Sequence, residues 1–312
     1  MRLGEAGKVA ALCVAWYTLS SASNVVGKLA LTALPLPMTL TLVQLLSTAA
    51  LSAPAFALCS VRREPTFPRR YYWRVLAPLA FAKFFTTMFS QVSIWKVPIS
   101  YAHTVKATTP LWTATLAWAL FGERVSRRVA GALLVIAAGV GVASATELHF
   151  DALGLGAALA AAALLSLQHI FSKRVMRDTG VHHLRLLQRL SGMALLLVAP
   201  AWLLLEAPAA LTARPTGGWP HAGALLAADG VLAWMQAVAA FSVLSRVSPL
   251  AYAVASAAKR CAVVGASLVL LRNPAPPLNL AGMALAALGV LLYNRAKLRD
   301  RAAPAARPLL PV

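Results

Sequence analysis

Ten apolar stretches follow one another along this chain, at roughly 9–33, 37–60, 74–95, 99–121, 129–146, 152–172, 184–205, 222–244, 249–271 and 278–295. Each is long enough to cross about 30 Å of hydrocarbon, allowing for tilt. That succession leaves few folds open. Hydrocarbon offers no water to backbone N–H and C=O groups, so a spanning segment must close its own hydrogen bonds as a helix. The expected fold class is an all-α integral membrane protein with ten transmembrane helices. Only 12% of the residues are charged, against roughly 25% in a soluble domain. The formal charge of +20 would suit nucleic acid if it lay on a soluble face. Here the basic residues punctuate apolar runs, which argues for a lipid bilayer as partner and against nucleic acid.

The connections between stretches set the orientation. If the N-terminus and every second connection share one side, that side holds 21 Lys and Arg, from Arg2 and Lys8 to Arg307. The other side holds only Lys96, Arg214 and Arg272. The positive-inside rule then places both termini in the cytoplasm. One helix more or fewer would scramble the asymmetry. Arg2, Lys8 and the run from Val9 to Leu19 mimic a secretory signal, but apolar character continues to Leu34, as a retained first helix requires. Residues 300–312 read as a disordered, basic cytoplasmic tail. No connection has room for a soluble domain. Cys13, Cys59 and Cys261 match no metal or disulfide spacing. No metal or cofactor is expected, and a homodimer is left open.

An internal repeat emerges at an offset of 151 residues. Pro98-x-x-Tyr101-Ala102 recurs as Pro249-x-x-Tyr252-Ala253, and Ala130-Gly131 recurs as Ala281-Gly282. An odd number of helices per repeat makes the two copies antiparallel. The chain thus divides into a five-helix repeat over 1–146 and an inverted one over 147–299. Transporters of that plan bind substrate at the repeat interface near the bilayer midplane.

Five basic residues interrupt the apolar stretches: Lys28, Lys83, Lys106, Lys259 and Arg260. No carboxylate lies at comparable depth, Asp229 being the nearest. A cation in hydrocarbon faces a bundle interior, a partner or a water-filled cavity. Lys106 follows Pro98 by about 12 Å of helix, and Lys259 follows Pro249 by about 15 Å. Both approach the midplane, on the two repeat-related stretches. Lys83 lies about 13 Å into the third stretch, and a ligand or gating role competes there with a structural one. For Lys28, near a helix end, snorkelling or a carbonyl bond weighs equally with a functional role. His103 shares a helix face with Lys106, and substrate contact and plain packing weigh equally for it. The planar guanidinium fork and compact ammonium groups suit a phosphate-like anion.

Several segments resemble the triose-phosphate translocator and nucleotide-sugar transporter group of the drug/metabolite transporter superfamily, most nearly subfamily E of solute-carrier family thirty-five. They are Lys96-Val97-Pro98-Ile99-Ser100-Tyr101-Ala102-His103-Thr104-Val105-Lys106-Ala107, Leu244-Ser245-Arg246-Val247-Ser248-Pro249-Leu250 through Lys259-Arg260, Trp16-Tyr17 with Asn24 and Lys28, and Ser166 to Lys173. The resemblance implies transport by alternating access in the Golgi or another endomembrane, and assigns phosphate binding to Lys106, Lys259 and Arg260. It also implies substrate contacts at Thr87 and Ser90, where that branch has a His and a Thr, and at Gln236, where it has a Tyr. These departures concern the organic part of the substrate. The expected function is antiport of phosphorylated organic anions, a sugar phosphate or a nucleotide sugar. Two other classes compete: a proton-coupled exporter built on Asp229, and a transport-inactive membrane scaffold. An enzyme is not expected, because no nucleophile–base pairing, paired carboxylates or metal spacing occurs.

Overall fold

The computed structural model describes residues 3–58, 69–122, 125–246, 249–272 and 275–302. They are helical almost throughout, with no strand among them. In order come α1 (Leu3–Ala33), α2 (Pro37–Leu58) and α3 (Arg69–Tyr71). A π turn (Tyr72–Leu76) joins α3 to α4 (Ala77–Lys96). Then follow α5 (Ile99–Lys106), α6 (Thr109–Phe121), α7 (Arg127–Ala145), α8 (Ala152–Thr179) and α9 (His183–Leu205). The chain closes with α10 (Ala207–Thr212), α11 (Gly218–Arg246), α12 (Pro249–Leu270) and α13 (Pro277–Ala302).

Within the described residues, the ten apolar stretches fall almost wholly on helix. Among the described residues, 7 helices are long and apolar enough to cross a membrane. They are α1, the rod that ends in α4, and α7, α8, α9, α11 and α13. The stretch 99–121, expected as one span, is instead two helices parted at Ala107 and Thr108. Of the expected tail, residues 300–302 continue α13, and the rest lies outside the described residues. The outer surface is apolar, with Leu204 77% and Val269 75% exposed. Water would penalise such a surface, whereas hydrocarbon accommodates it.

Small residues let the helices approach one another. α7 packs along α13, α1 along α11 and α4 along α8. In the first pair the backbones themselves touch. A Cβ on Gly282 would come within 2.6 Å of the Ala143 nitrogen, and one on Gly289 within 2.7 Å of the Ile136 nitrogen. A Cβ on Gly139 would collide with the Ala286 backbone. At these glycines no added side chain fits, so the two helices approach to direct backbone contact there.

Acidic side chains close several helix ends. The Glu206 carboxylate accepts from the N–H groups of Met38 (2.8 Å) and Thr39 (2.7 Å) and from the Thr39 hydroxyl (2.9 Å). It caps α2 from the far end of α9 and opposes the positive end of the helix dipole. Asp151 caps α8 through the Gly154 N–H at 2.7 Å. At the opposite polarity, the Lys28 ammonium donates to the carbonyls of Ile94 (2.7 Å), Trp95 (3.1 Å) and Val97 (3.2 Å). It ties α1 to the C-terminus of α4, where carbonyls lack helical donors. Of the two roles open to Lys28, carbonyl bonding is the one seen.

Candidate functional site

The break between α5 and α6 builds the site. Proline has no N–H, so Pro110 cannot close a helical bond onto the carbonyl four residues earlier, that of Lys106. Other donors take that carbonyl. The Thr109 hydroxyl donates to it at 2.5 Å, and so does Nη1 of Arg260 from α12. Nη2 of Arg260 reaches the Thr109 hydroxyl at 3.3 Å. Ser166 of α8 in turn donates to the Thr109 carbonyl at 3.0 Å. The end of α5, and Lys106 with it, is thus fixed by side chains from two distant helices.

A cavity of about 250 Å³ opens beside this junction. His103 and Lys106 of α5 face Lys259 and Arg260 of α12 across it. The Lys259 ammonium stands 5.1 Å from the centre of the Trp16 ring, a cation–π contact from α1. The Lys106 ammonium has no hydrogen bond or ion pair among the described residues. No carboxylate among them lines the cavity. Lys106, Lys259 and Arg260 therefore line one cavity with no described carboxylate among its residues, a setting that favours an anion.

The remaining wall is polar but neutral. α1 contributes Ser20, Ser23 and Asn24, α2 Gln44, α4 Thr86, Thr87, Ser90 and Gln91, and α11 Gln236. Asn24 spends its amide N–H on the Ser20 carbonyl (2.7 Å), so its oxygen accepts from Nε2 of His103 at 2.8 Å. That fixes the imidazole against α1 and puts the proton on Nε2. Behind the wall, buried Asp229 accepts from Ser23 (3.1 Å) and Gln44 (2.7 Å), and Gln44 accepts from Gln91 (2.8 Å). Gly27 leaves room for this carboxylate, since a Cβ there would lie 3.3 Å from its Oδ1. The hydroxyls of Ser20 and Thr86 have no partner among the described residues, and both face the cavity.

Seven of the eight residues singled out in the sequence line this cavity: Lys106, Lys259, Arg260, His103, Thr87, Ser90 and Gln236. Lys83 does not. It stands one turn before Thr87 on α4, half-buried, and its ammonium has no partner among the described residues. Sequence reasoning missed Ser20, Ser23, Gln44, Thr86 and Gln91. A signal was present for most of them. Ser20, Ser23, Asn24 and Gly27 recur at helical spacing within an apolar span, as do Thr86, Thr87, Ser90 and Gln91.

Residues 7–294 match the sequence profile of the Triose-phosphate Transporter family. The chain belongs to that family. It is accordingly a multi-pass membrane transporter and not an enzyme, as its sequence leads one to expect. Among its relatives, a chloroplastic phosphoenolpyruvate/phosphate translocator of Oryza sativa is 33% identical over 95% of this chain and 76% of its own. A triose phosphate/phosphate translocator of Brassica oleracea is 30% identical over 90% and 71%. A glucose-6-phosphate/phosphate translocator of Arabidopsis thaliana is 28% identical over 93% and 76%. One solved crystal structure superposes with a TM-score of 0.58, covering 95% of this chain and 99% of its own at 19% identity. That likeness is one of fold.

Proposed function

We propose that this transporter exchanges phosphorylated organic anions by alternating access, with Lys106, Lys259 and Arg260 holding the phosphate group. The single observation behind this reading is three cations on one carboxylate-free cavity, with the Lys106 ammonium unpartnered among the described residues. The Arg260 guanidinium offers a planar fork of N–H donors that suits the oxygens of a phosphate. The three translocators named above each pair a phosphorylated organic compound with phosphate in their names, and they differ in the organic compound. That pattern supports inorganic phosphate as counter-substrate. His103, Thr87, Ser90 and Gln236 would contact the organic part, which we take to be a sugar phosphate or a nucleotide sugar.

The proposed frame is ten spans in two inverted repeats, 1–146 and 147–299, with the cations of α5 and α12 on related helices. Both termini are proposed to be cytoplasmic and the membrane an endomembrane, although several relatives are chloroplast proteins by name; imaging of a tagged chain decides between them. Without an anion the buried cations resist reorientation, so exchange is obligatory. The test is uptake of labelled phosphate into proteoliposomes. Uptake that depends on internal phosphate or sugar phosphate supports the reading, and equal uptake by empty vesicles rejects it. A second reading, proton-coupled export, draws on Asp229, which bonds two cavity residues. It requires proton-driven efflux that Asp229→Asn abolishes.

A further inference from the structure

A second and larger cavity, about 500 Å³, lies between the α4 rod and α8 and shares no lining residue with the first. Its two ends differ in chemistry. Arg74 and Arg174, with Asp178, lie at one end, and Ala82 and Leu167 at the other. Ala82 is about 12 Å of helix beyond Arg74, and Leu167 about 10 Å before Arg174. Between them Leu79, Phe171 and Val175 make an apolar wall. The cavity is thus a shaft with a basic mouth and a hydrocarbon-like floor.

Its mouth lies at the membrane boundary. Arg74 opens the apolar stretch Tyr72–Lys96, and Arg174 closes the stretch Ala152–Met176. Trp73, 69% exposed at the same level, is the residue type that anchors at head groups. The π turn Tyr72–Leu76 carries both Trp73 and Arg74, and such turns recur at functional sites. Arg174 stands 3.6 Å from Asp178, whereas Arg74 has no hydrogen bond or ion pair among the described residues. The mouth therefore keeps a positive charge. A free phosphate would use the mouth and leave the shaft empty. A neutral lipid would fill the shaft and leave Arg74 unanswered.

We propose that this cavity holds one anionic phospholipid of the adjoining leaflet, its phosphate at Arg74 and Arg174 and one acyl chain along the shaft. Occupancy would brace α4, which carries Thr86, Thr87, Ser90 and Gln91 into the transport cavity.

The test uses the purified full chain in detergent, with phosphatidylserine, phosphatidylcholine and inorganic phosphate as probes. Retained lipid is counted by native mass spectrometry. Phosphatidylserine should be retained over phosphatidylcholine by roughly fivefold for each arginine engaged. The double variant Arg74→Gln with Arg174→Gln should erase that preference, and inorganic phosphate should not displace the lipid. Ala82→Phe, which fills the shaft, should lower retention of both lipids. Equal retention by the wild type, an unchanged preference in the arginine pair variant, or displacement by inorganic phosphate overturns the proposal. Should Ala82→Phe fail to fold, the arginine variant, on an exposed rim, still decides.

Discussion

Lys28 and Lys106 are the same side chain in opposite circumstances. The first spends its ammonium on three carbonyls at the end of α4; the second spends its own on nothing among the described residues. Their substitutions should separate accordingly. Lys28→Met leaves the carbonyls without their donor and should lower stability by about 1–3 kcal/mol. Melting in detergent measures that, with substrate affinity of the folded fraction unchanged. Lys106→Gln should leave melting within about 1 kcal/mol, because no protein bond is lost, and cut exchange roughly 10- to 100-fold if a charged hydrogen bond to phosphate disappears. Wild-type exchange in that variant would remove Lys106 from the site. The sequence placed both lysines in hydrocarbon but left their partners open. The acceptors of Lys28 lie 66 to 69 residues away, and no local pattern names them.

At the scale of elements, the junction of α5 and α6 was half legible. Pro110 marks a place where a helix must surrender a bond, and the sequence could not say whether it hinges or is merely tolerated. The answer depends on Arg260, 154 residues beyond Lys106, whose freed carbonyl it takes. Pro110→Ala restores a backbone donor at that point. It should straighten the α5–α6 junction and compete with Arg260 for the Lys106 carbonyl. The expected result is equal or higher melting temperature and slower exchange, read from paired melting and proteoliposome assays. Polar stripes on α1 and α4 were legible in principle from their spacing. Beyond Thr87 and Ser90, spacing alone does not single out their members, because Ser and Thr in apolar helices commonly bond their own carbonyls, as Thr104 does to Ser100 at 2.9 Å.

For the whole molecule, the all-helical membrane class could be read because hydrocarbon permits so few backbone solutions, whereas the contacts between helices could not. The 151-residue offset in the sequence aligns Gly131 with Gly282, yet their surroundings differ. A Cβ on Gly131 would meet nothing within 4 Å, and one on Gly282 would strike the α7 backbone. Gly282→Val should therefore prevent a monodisperse fold, and Gly131→Ala should not, as size-exclusion profiles will show. The acids of the described residues add a last consequence. Asp151 and Glu206 cap helices, Asp300 accepts from Ser126, and Glu147 accepts from Asn279. Asp229 is buried behind the chamber wall and spends its carboxylate on Ser23 and Gln44; no described carboxylate lines the chamber itself, so its cations look to a dissolved anion for balance. On the proposed function, a resting transporter would be occupied by the commonest small oxyanion that fits. Sulfate should raise the apparent KM for phosphate without changing the maximal rate, and the choice of counterion becomes part of every measured affinity.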